Sequence, residues 1–237
     1  MKLIVGQSNA IRQIDHSVSA LATSGGTVCV FGEGGTGKTL IAQAIHARDP
    51  HRAGRPLVLI HCATLPADSR NGDKIVDLFD GASQVARGGT VVLKQVAALS
   101  ALSQTALLHA IKHQAASHTG VRVIATTTRE LLSPMPQGQF RADLFRRLPG
   151  ISITVPPLRK RKADIPWLVA HFIHCFNVQY CRDIRGITLP AHRVLLKHDW
   201  PGNVRELQCC IDCACRRTDR AVIDCTELVG TIDALKA

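Results

Sequence analysis

Apolar residues along this chain alternate between two patterns. Short runs rich in Val, Ile and Thr occupy Thr27–Phe31 (TVCVF), Pro56–Ile60, Gly89–Leu93 (GTVVL), Val121–Thr127 (VRVIATT) and Ile151–Val155 (ISITV). Runs of this length and composition predict buried strands. Between them, apolar positions recur at helical spacing over Asn9–Ala22, which ends at the Gly25-Gly26 turn, over Lys38 to about Ala47, and over Thr105–Ala116. In the second of these, Leu40, Ile41, Ala44 and Ile45 line one face. Strands alternating with helices predict an α/β fold, a parallel five-stranded sheet covered on both faces. After Pro156-Pro157 the strand pattern stops, and residues 163–180, 190–198, 203–217 and 225–236 all read as helical. The expected organisation is an α/β domain over residues 1–157 and a small all-helical domain over residues 158–237.

The first predicted strand runs into Gly32-Glu33-Gly34-Gly35-Thr36-Gly37-Lys38-Thr39. This matches G-x-x-x-x-G-K-[ST], and it stands where the motif must stand, between a strand and a helix. Glycines there let backbone N–H groups turn toward phosphates, and the helix N-terminus adds its positive end. Lys38 is expected to reach the β- and γ-phosphates, and the Thr39 hydroxyl is the candidate magnesium ligand. The implied ligand is ATP or ADP.

Composition changes this picture in three ways. Aromatic residues are only 4% of the 237, so the core must be aliphatic. A net charge of +11 permits contact with nucleic acid or another polyanion, although no DNA-reading motif accompanies it. The N-terminal MKLIVGQSNA has no signal-peptide apolar run, and the longest uncharged stretch, Gln95–Ile111, is too short and polar to span a membrane. The expected location is therefore cytoplasmic, with the nine cysteines reduced and no membrane partner.

Further segments then fall into a known order: Ile4–Ile11 (IVGQSNAI), Phe31–Ile45 followed by His46, Cys62-Ala63-Thr64-Leu65-Pro66, Gly88-Gly89-Thr90, Phe140–Leu148 (FRADLFRRL), Pro156–Pro166 (PPLRKRKADIP) and Asp199–Leu207 (DWPGNVREL). From Val5 to about Arg217 the chain resembles the AAA+ domain of sigma-54-dependent transcriptional activators, the bacterial enhancer-binding proteins. The resemblance implies an AAA+ P-loop fold with a helical lid, assembled with copies of itself or a paralogous subunit as a ring or dimer. It places Arg141 and Arg147 on the family's arginine-finger positions, acting on a neighbour's nucleotide. It places Arg205 on the sensor II position, touching phosphates from its own lid.

The chain departs from the family where chemistry is done. The family's Walker B strand ends in Asp-Glu, whereas the matching pair here is Lys94-Gln95. Charged lysine cannot ligate magnesium, and glutamine is no general base. Lys94 is instead a candidate to meet the phosphates with its ammonium, so magnesium is expected to bind weakly at best. His61 and Thr128 replace two of the family's asparagines. Only Asp80–Arg87 (DGASQVAR) remains where the family carries the long loop with the GAFTGA motif that contacts sigma-54, and Gln114–Gly120 also looks shortened. The expectation is an ATP-binding regulator with little or no ATPase activity, acting through protein contacts with the transcription machinery. An active ATPase with a rearranged site and a basic nucleic-acid-binding regulator reusing the fold are the alternatives. The family's helix-turn-helix would not fit the about 20 residues after Arg217, so direct DNA binding stays open.

Cys209, Cys210, Cys213 and Cys215 (CCIDCAC) read as small buried residues of a lid helix. Cys210-x-x-Cys213 also has metal-ligand spacing, and a site would need further ligands such as Cys225 or Cys181. A redox pair is the remaining reading.

Overall fold

The computed structural model describes residues 4–65, 71–116, 120–128, 144 and 151–236. These form two compact units: one of Ile14–Gly32 with Lys38–Val155, the other of the chain up to Gln13, Glu33–Gly37 and the chain from Pro156.

The first unit is built on five parallel strands, β1 (Val28–Phe31), β2 (Leu57–His61), β3 (Thr90–Lys94), β4 (Arg122–Thr127) and β5 (Ile151–Thr154), in the order β2-β3-β4-β1-β5. β1 and β4 are buried at every position, including Arg122, Thr126 and Thr127 of β4. In register, Phe31 lies beside Thr127, and Lys94 lies beside both His61 and Thr126. Helices α1 (Asn9–Ser24), α2 (Lys38–Arg48), α3 (Asn71–Val85) and α4 (Ala101–Ala116) connect and cover the strands. Fully buried Val91, Leu93, Ile75, Phe79 and Leu107 belong to one core, to which Leu144 also contributes. Each such side chain contributes about 1.5–3 kcal/mol on leaving water.

Two expectations change here. Helix α4 starts at Ala101, four residues before the predicted Thr105, because the Ser100 hydroxyl accepts from the Ser103 N–H at 3.2 Å and caps it. Asp80–Arg87 is not a loop remnant. Asp80–Val85 is the last part of α3, whose buried stripe Ile75, Phe79 and Ala82 continues at helical spacing into Ala86 just past its end. The whole connection from α3 to β3 is Ala86–Gly89. Gly89 is required there, because a Cβ would stand 2.1 Å from the Pro56 carbonyl oxygen.

The second unit contains α5 (Ile165–Tyr180), α6 (Leu189–Lys197), α7 (Asn203–Arg217) and α8 (Cys225–Lys236), together with a short parallel pair, β6 (Gly186–Ile187) and β7 (Val222–Ile223), that the sequence pattern did not suggest. Trp200, Leu158 and Ile165 are fully buried in its core. On α7 the buried apolar positions are Leu207, Cys210, Ile211, Ala214 and Cys215, an i, i+3, i+4, i+7, i+8 stripe. Two of the four cysteines in CCIDCAC are thus core residues, while Cys209 is exposed and Cys213 half-buried. Among the described residues no group of His, Cys, Asp or Glu is arranged to hold a metal ion. No helix among them is long and apolar enough to cross a membrane.

The chain up to Gln13 joins this unit through a buried carboxylate. Asp164 accepts from the Gln7 and Ser8 N–H groups at 2.7 Å each, and from the Ser8 hydroxyl at 2.7 Å.

Candidate nucleotide site

In the sheet unit, the candidate residues stand at the C-terminal edge of the strands, where ligands of open parallel sheets bind. β1 ends at Phe31, the chain turns through Gly32, and Lys38 and Thr39 open α2. Lys38 is largely buried, and its Nζ donates to the Gly32 carbonyl at 2.7 Å. That bond folds the lysine back over the start of its own loop, as a phosphate-reaching lysine must be held. Thr39 is half-buried on the first turn of α2.

Two strands away, β3 ends in Lys94 and Gln95. Lys94 Nζ lies 2.5 Å from His61 Nε2. An ammonium can only donate, so in this contact the ring nitrogen is the acceptor. The two residues are register partners at the ends of β2 and β3, which is why their side chains meet. Gln95 adopts a left-handed conformation, φ 56° and ψ 46°, and is exposed. Its N–H reaches the Thr126 hydroxyl at 3.4 Å, and its carbonyl accepts from the Ala98 N–H at 2.9 Å. Thr128, just past β4, is exposed.

These residues do not fit a magnesium ion. Mg²⁺ takes about six oxygen ligands in near-octahedral array, usually including a carboxylate. The end of β3 offers a cation and an amide, and the cation is paired with an imidazole. Thr39 is left as the oxygen ligand the sequence pattern supplies, with a positive charge on β3 in place of its usual acidic partner.

In the lid unit, residues Glu33–Gly37 are held by a dense set of bonds. Glu33 receives a bidentate pair from Arg159, at 2.8 Å to Oε2 and 2.5 Å to Oε1, and a third bond from Asn203 Nδ2 at 3.2 Å. The Arg159 and Asn203 bonds bring its carboxyl down to about 2. The Gly34 carbonyl accepts from Asn203 Nδ2 at 2.9 Å, and the Thr36 carbonyl from buried Arg161 Nη2 at 2.9 Å. The Gly35 carbonyl accepts from the N–H groups of Val204 and Arg205, at 3.0 and 3.3 Å, in the first turn of α7. Gly35 has φ +74°, and a Cβ would stand 2.1 Å from the Gly202 carbonyl oxygen, so only glycine fits. Arg205 thus meets the loop through its backbone, while its side chain is exposed.

Asn203 is the residue that sequence reasoning missed. It is fully buried with φ +57°, and its Oδ1 accepts from the Leu158 N–H at 2.8 Å while Nδ2 bonds Glu33 and Gly34. It lies within Asp199–Leu207, a motif whose resemblance points to Arg205 alone. Arg141 and Arg147 lie outside the described residues.

The sequence profile described as Sigma-54 interaction domain matches residues 5–158, and that described as AAA+ ATPase lid domain matches residues 159–236. The transcriptional regulatory protein ZraR of Escherichia coli (strain K12) is 36% identical over 86% of this chain and 50% of its own length. The nitrogen fixation protein AnfA of Azotobacter vinelandii is 33% identical over 98% of this chain and 47% of its own. The chain thus spans about half the length of the curated relatives it matches. The crystal structure of NtrX from Brucella abortus in complex with ADP aligns with a TM-score of 0.85 at 30% identity, over 98% of this chain and 56% of that one. NtrX in complex with ATP aligns equally well, at 0.85. With the five-stranded order β2-β3-β4-β1-β5, the phosphate loop after β1 and the helical lid all in place, the chain belongs to the sigma-54 interaction family of AAA+ P-loop proteins, the family of the sigma-54-dependent transcriptional activators.

Proposed function

We propose that this chain is the nucleotide-binding module of a sigma-54-activator-type transcriptional regulator, that it holds ATP or ADP with little or no hydrolysis, and that it acts in the cytoplasm through protein contacts. The observation that carries the reading is the end of β3, where Lys94 and Gln95 stand in place of an acidic pair, in a chain that keeps the whole phosphate-loop motif Gly32–Thr39. Gly32–Thr39 provide the cradle, with Lys38 for the β- and γ-phosphates, and Arg205 is the lid's candidate phosphate contact. The two solved NtrX complexes, with ADP and with ATP, support the ligand. Phosphoryl transfer to water needs the water oriented and its proton accepted, and a glutamine does not accept it. Losing a positioned carboxylate costs roughly 3–5 kcal/mol of barrier, or on the order of 10²–10⁴-fold in rate.

The partner is a second AAA+ subunit, its own copy or a paralogue, to whose nucleotide Arg141 and Arg147 would contribute. The short Ala86–Gly89 connection leaves no room for a long protruding loop between α3 and β3, so contact with the transcription machinery runs through another surface. Residues 158–237 serve as the lid domain of the module.

The test is ATP-induced thermal stabilisation combined with phosphate release in excess magnesium. ATP is expected to raise the melting temperature of the chain and not that of Lys38→Ala, with phosphate release at the level of Lys38→Ala. Steady turnover that Lys38→Ala abolishes would overturn the slow-hydrolysis reading, and absence of any nucleotide effect would overturn the binding reading.

A further inference from the structure

The misfit with magnesium has a positive side. Lys94 is level with Thr126 on β4, and Thr126 is level with Val30 on β1, one residue before Phe31. With neighbouring strands about 4.8 Å apart, the Lys94 and Val30 backbones are roughly 10 Å apart. Lys38 and Thr39 follow the same β1 edge. A lysine side chain spans about 6 Å, so the Lys94 ammonium, which rests against His61 on β2, has the length to turn toward a phosphate group held at the start of α2. That is the region where a bound cation would otherwise balance polyphosphate charge.

The side chain is held at the sheet's C-terminal edge by one hydrogen bond. His61 gives Lys94 Nζ one acceptor and leaves its other two N–H bonds for a ligand. His61 is exposed and Lys94 half-buried, so an incoming anion has access. Free ATP carries about two more negative charges than its magnesium complex, so a fixed cation favours the metal-free form.

Resting on the nucleotide-binding reading above, we infer that the His61–Lys94 pair takes the place of the divalent cation, so that this chain binds metal-free nucleoside triphosphate. Lys94 Nζ then contacts the phosphates beside Lys38 Nζ, and His61 acts as the residue that positions Lys94. Discrimination follows from charge: ATP gains more from the extra ammonium than ADP does, because the γ-phosphate carries the added negative charge.

Equilibrium binding of ATP to the purified chain, in excess EDTA and in excess magnesium chloride, tests this. The expected result is ATP affinity in EDTA equal to or greater than that in magnesium, falling on the order of tenfold or more in Lys94→Ala. Lys94→Asp is expected to invert the preference, binding at least about tenfold tighter with magnesium than with EDTA. His61→Asn keeps a hydrogen-bond acceptor beside Lys94 and is expected to weaken binding less than Lys94→Ala. Melting temperatures without ligand should match the parent for all three, since neither side chain is in the core. Loss of ATP binding in EDTA, with binding intact in magnesium, would overturn this inference and leave nucleotide binding standing. Equal affinities of Lys94→Ala and the parent would do the same. Failure of the parent to bind ATP in either buffer would overturn both readings together.

Discussion

Asn203 shows how much a single amide can fix. Its φ of +57° is a conformation that costs most L-residues about 1 kcal/mol and that asparagine tolerates better than others. In that conformation its Oδ1 faces the Leu158 N–H and its Nδ2 faces Glu33 and the Gly34 carbonyl. Asn203→Ala removes the acceptor for one buried N–H and the donor for a carbonyl, and adds backbone strain. A loss of about 2–4 kcal/mol is expected, measured as a lower urea midpoint with unchanged slope. Asn203→Gly should recover the strain component only. Asn203→Asp, of the same shape, replaces the Nδ2 donor with an oxygen facing the Glu33 carboxylate and should be at least as damaging at neutral pH. If Asn203→Asp matched the parent, the donor role of Nδ2 would be wrong. None of this was legible in the sequence, because the role depends on a positive φ and on bonds to residues 169 and 170 positions away. Lys94-Gln95, by contrast, was legible, because the residues replace a motif whose position is fixed by the preceding glycines and strand. His61 was read as a change of side chain, but its meeting with Lys94 required the β2–β3 register.

At the scale of elements, the strands were readable because the three central ones are buried through most of their length, and β2 and β5 at the edges are still short runs rich in Val, Ile and Leu or Thr. Helix α3 was not, since Gly72 and Gly81 interrupt it and its buried stripe is narrow, with Asp73, Asp77 and Asp80 between the apolar positions. Nor could periodicity reveal what joins one element to another. The first residue of β4 does this for α1. Arg122, fully enclosed, donates through Nη2 to the Leu21 carbonyl at 2.6 Å, through Nη1 to that of Ala22 at 3.2 Å, and through Nε to that of Gly26 at 3.0 Å. A guanidinium at the end of α1 satisfies carbonyls that the helix itself cannot and opposes the helix dipole. Its charge is balanced by buried Asp49, 3.0 Å away, which also holds Arg52. Arg122→Met keeps the volume but removes one of the two guanidinium partners of a buried carboxylate and the donors to three carbonyl groups. It should cost about 3–5 kcal/mol in chemical denaturation, whereas the double variant Arg122→Met/Asp49→Asn should recover a substantial part. Equal losses in the single and double variants would show that the ion pair is not the source of the effect.

Across the whole molecule, titrating groups are distributed so that each unit has its own acid limit while both share an alkaline one. In the sheet unit, burial pushes His46 below its ordinary value, its ring Nδ1 lying 2.9 Å from the Thr90 hydroxyl. Burial alone would raise Asp49, but the His51 N–H with Arg52 and Arg122 outweighs it and holds the carboxyl low. In the lid unit Glu33 is brought to about 2 by Arg159 and Asn203, and hydrogen bonds from the Thr188 hydroxyl and from backbone N–H groups also hold Asp224 and Glu227 low. A depressed folded-state pKa gives stability that is complete above the unfolded value and is lost as pH falls toward the folded one. His46 therefore weakens the sheet unit once pH falls below about 6.5, while the carboxylates act only below about 4.5. Burial raises Cys29 and Cys62 in the sheet unit to about 12, and Cys210 and Cys215 in the lid unit to about 12 and about 11. A raised folded-state pKa has the opposite sign, so this stability is full below about 9 and is lost above it in both units, at about 1.4 kcal/mol per pH unit for each thiol at most. Under reducing conditions the chain should have a stability plateau between about pH 6.5 and 9. Hydrogen exchange between pH 6.5 and 5, corrected for intrinsic rates, should show protection falling in β1 and β3 while α5 and α7 hold theirs, and His46→Gln should remove that difference. Protection falling equally in both units over this range would mean that a group other than His46 governs the acid limit.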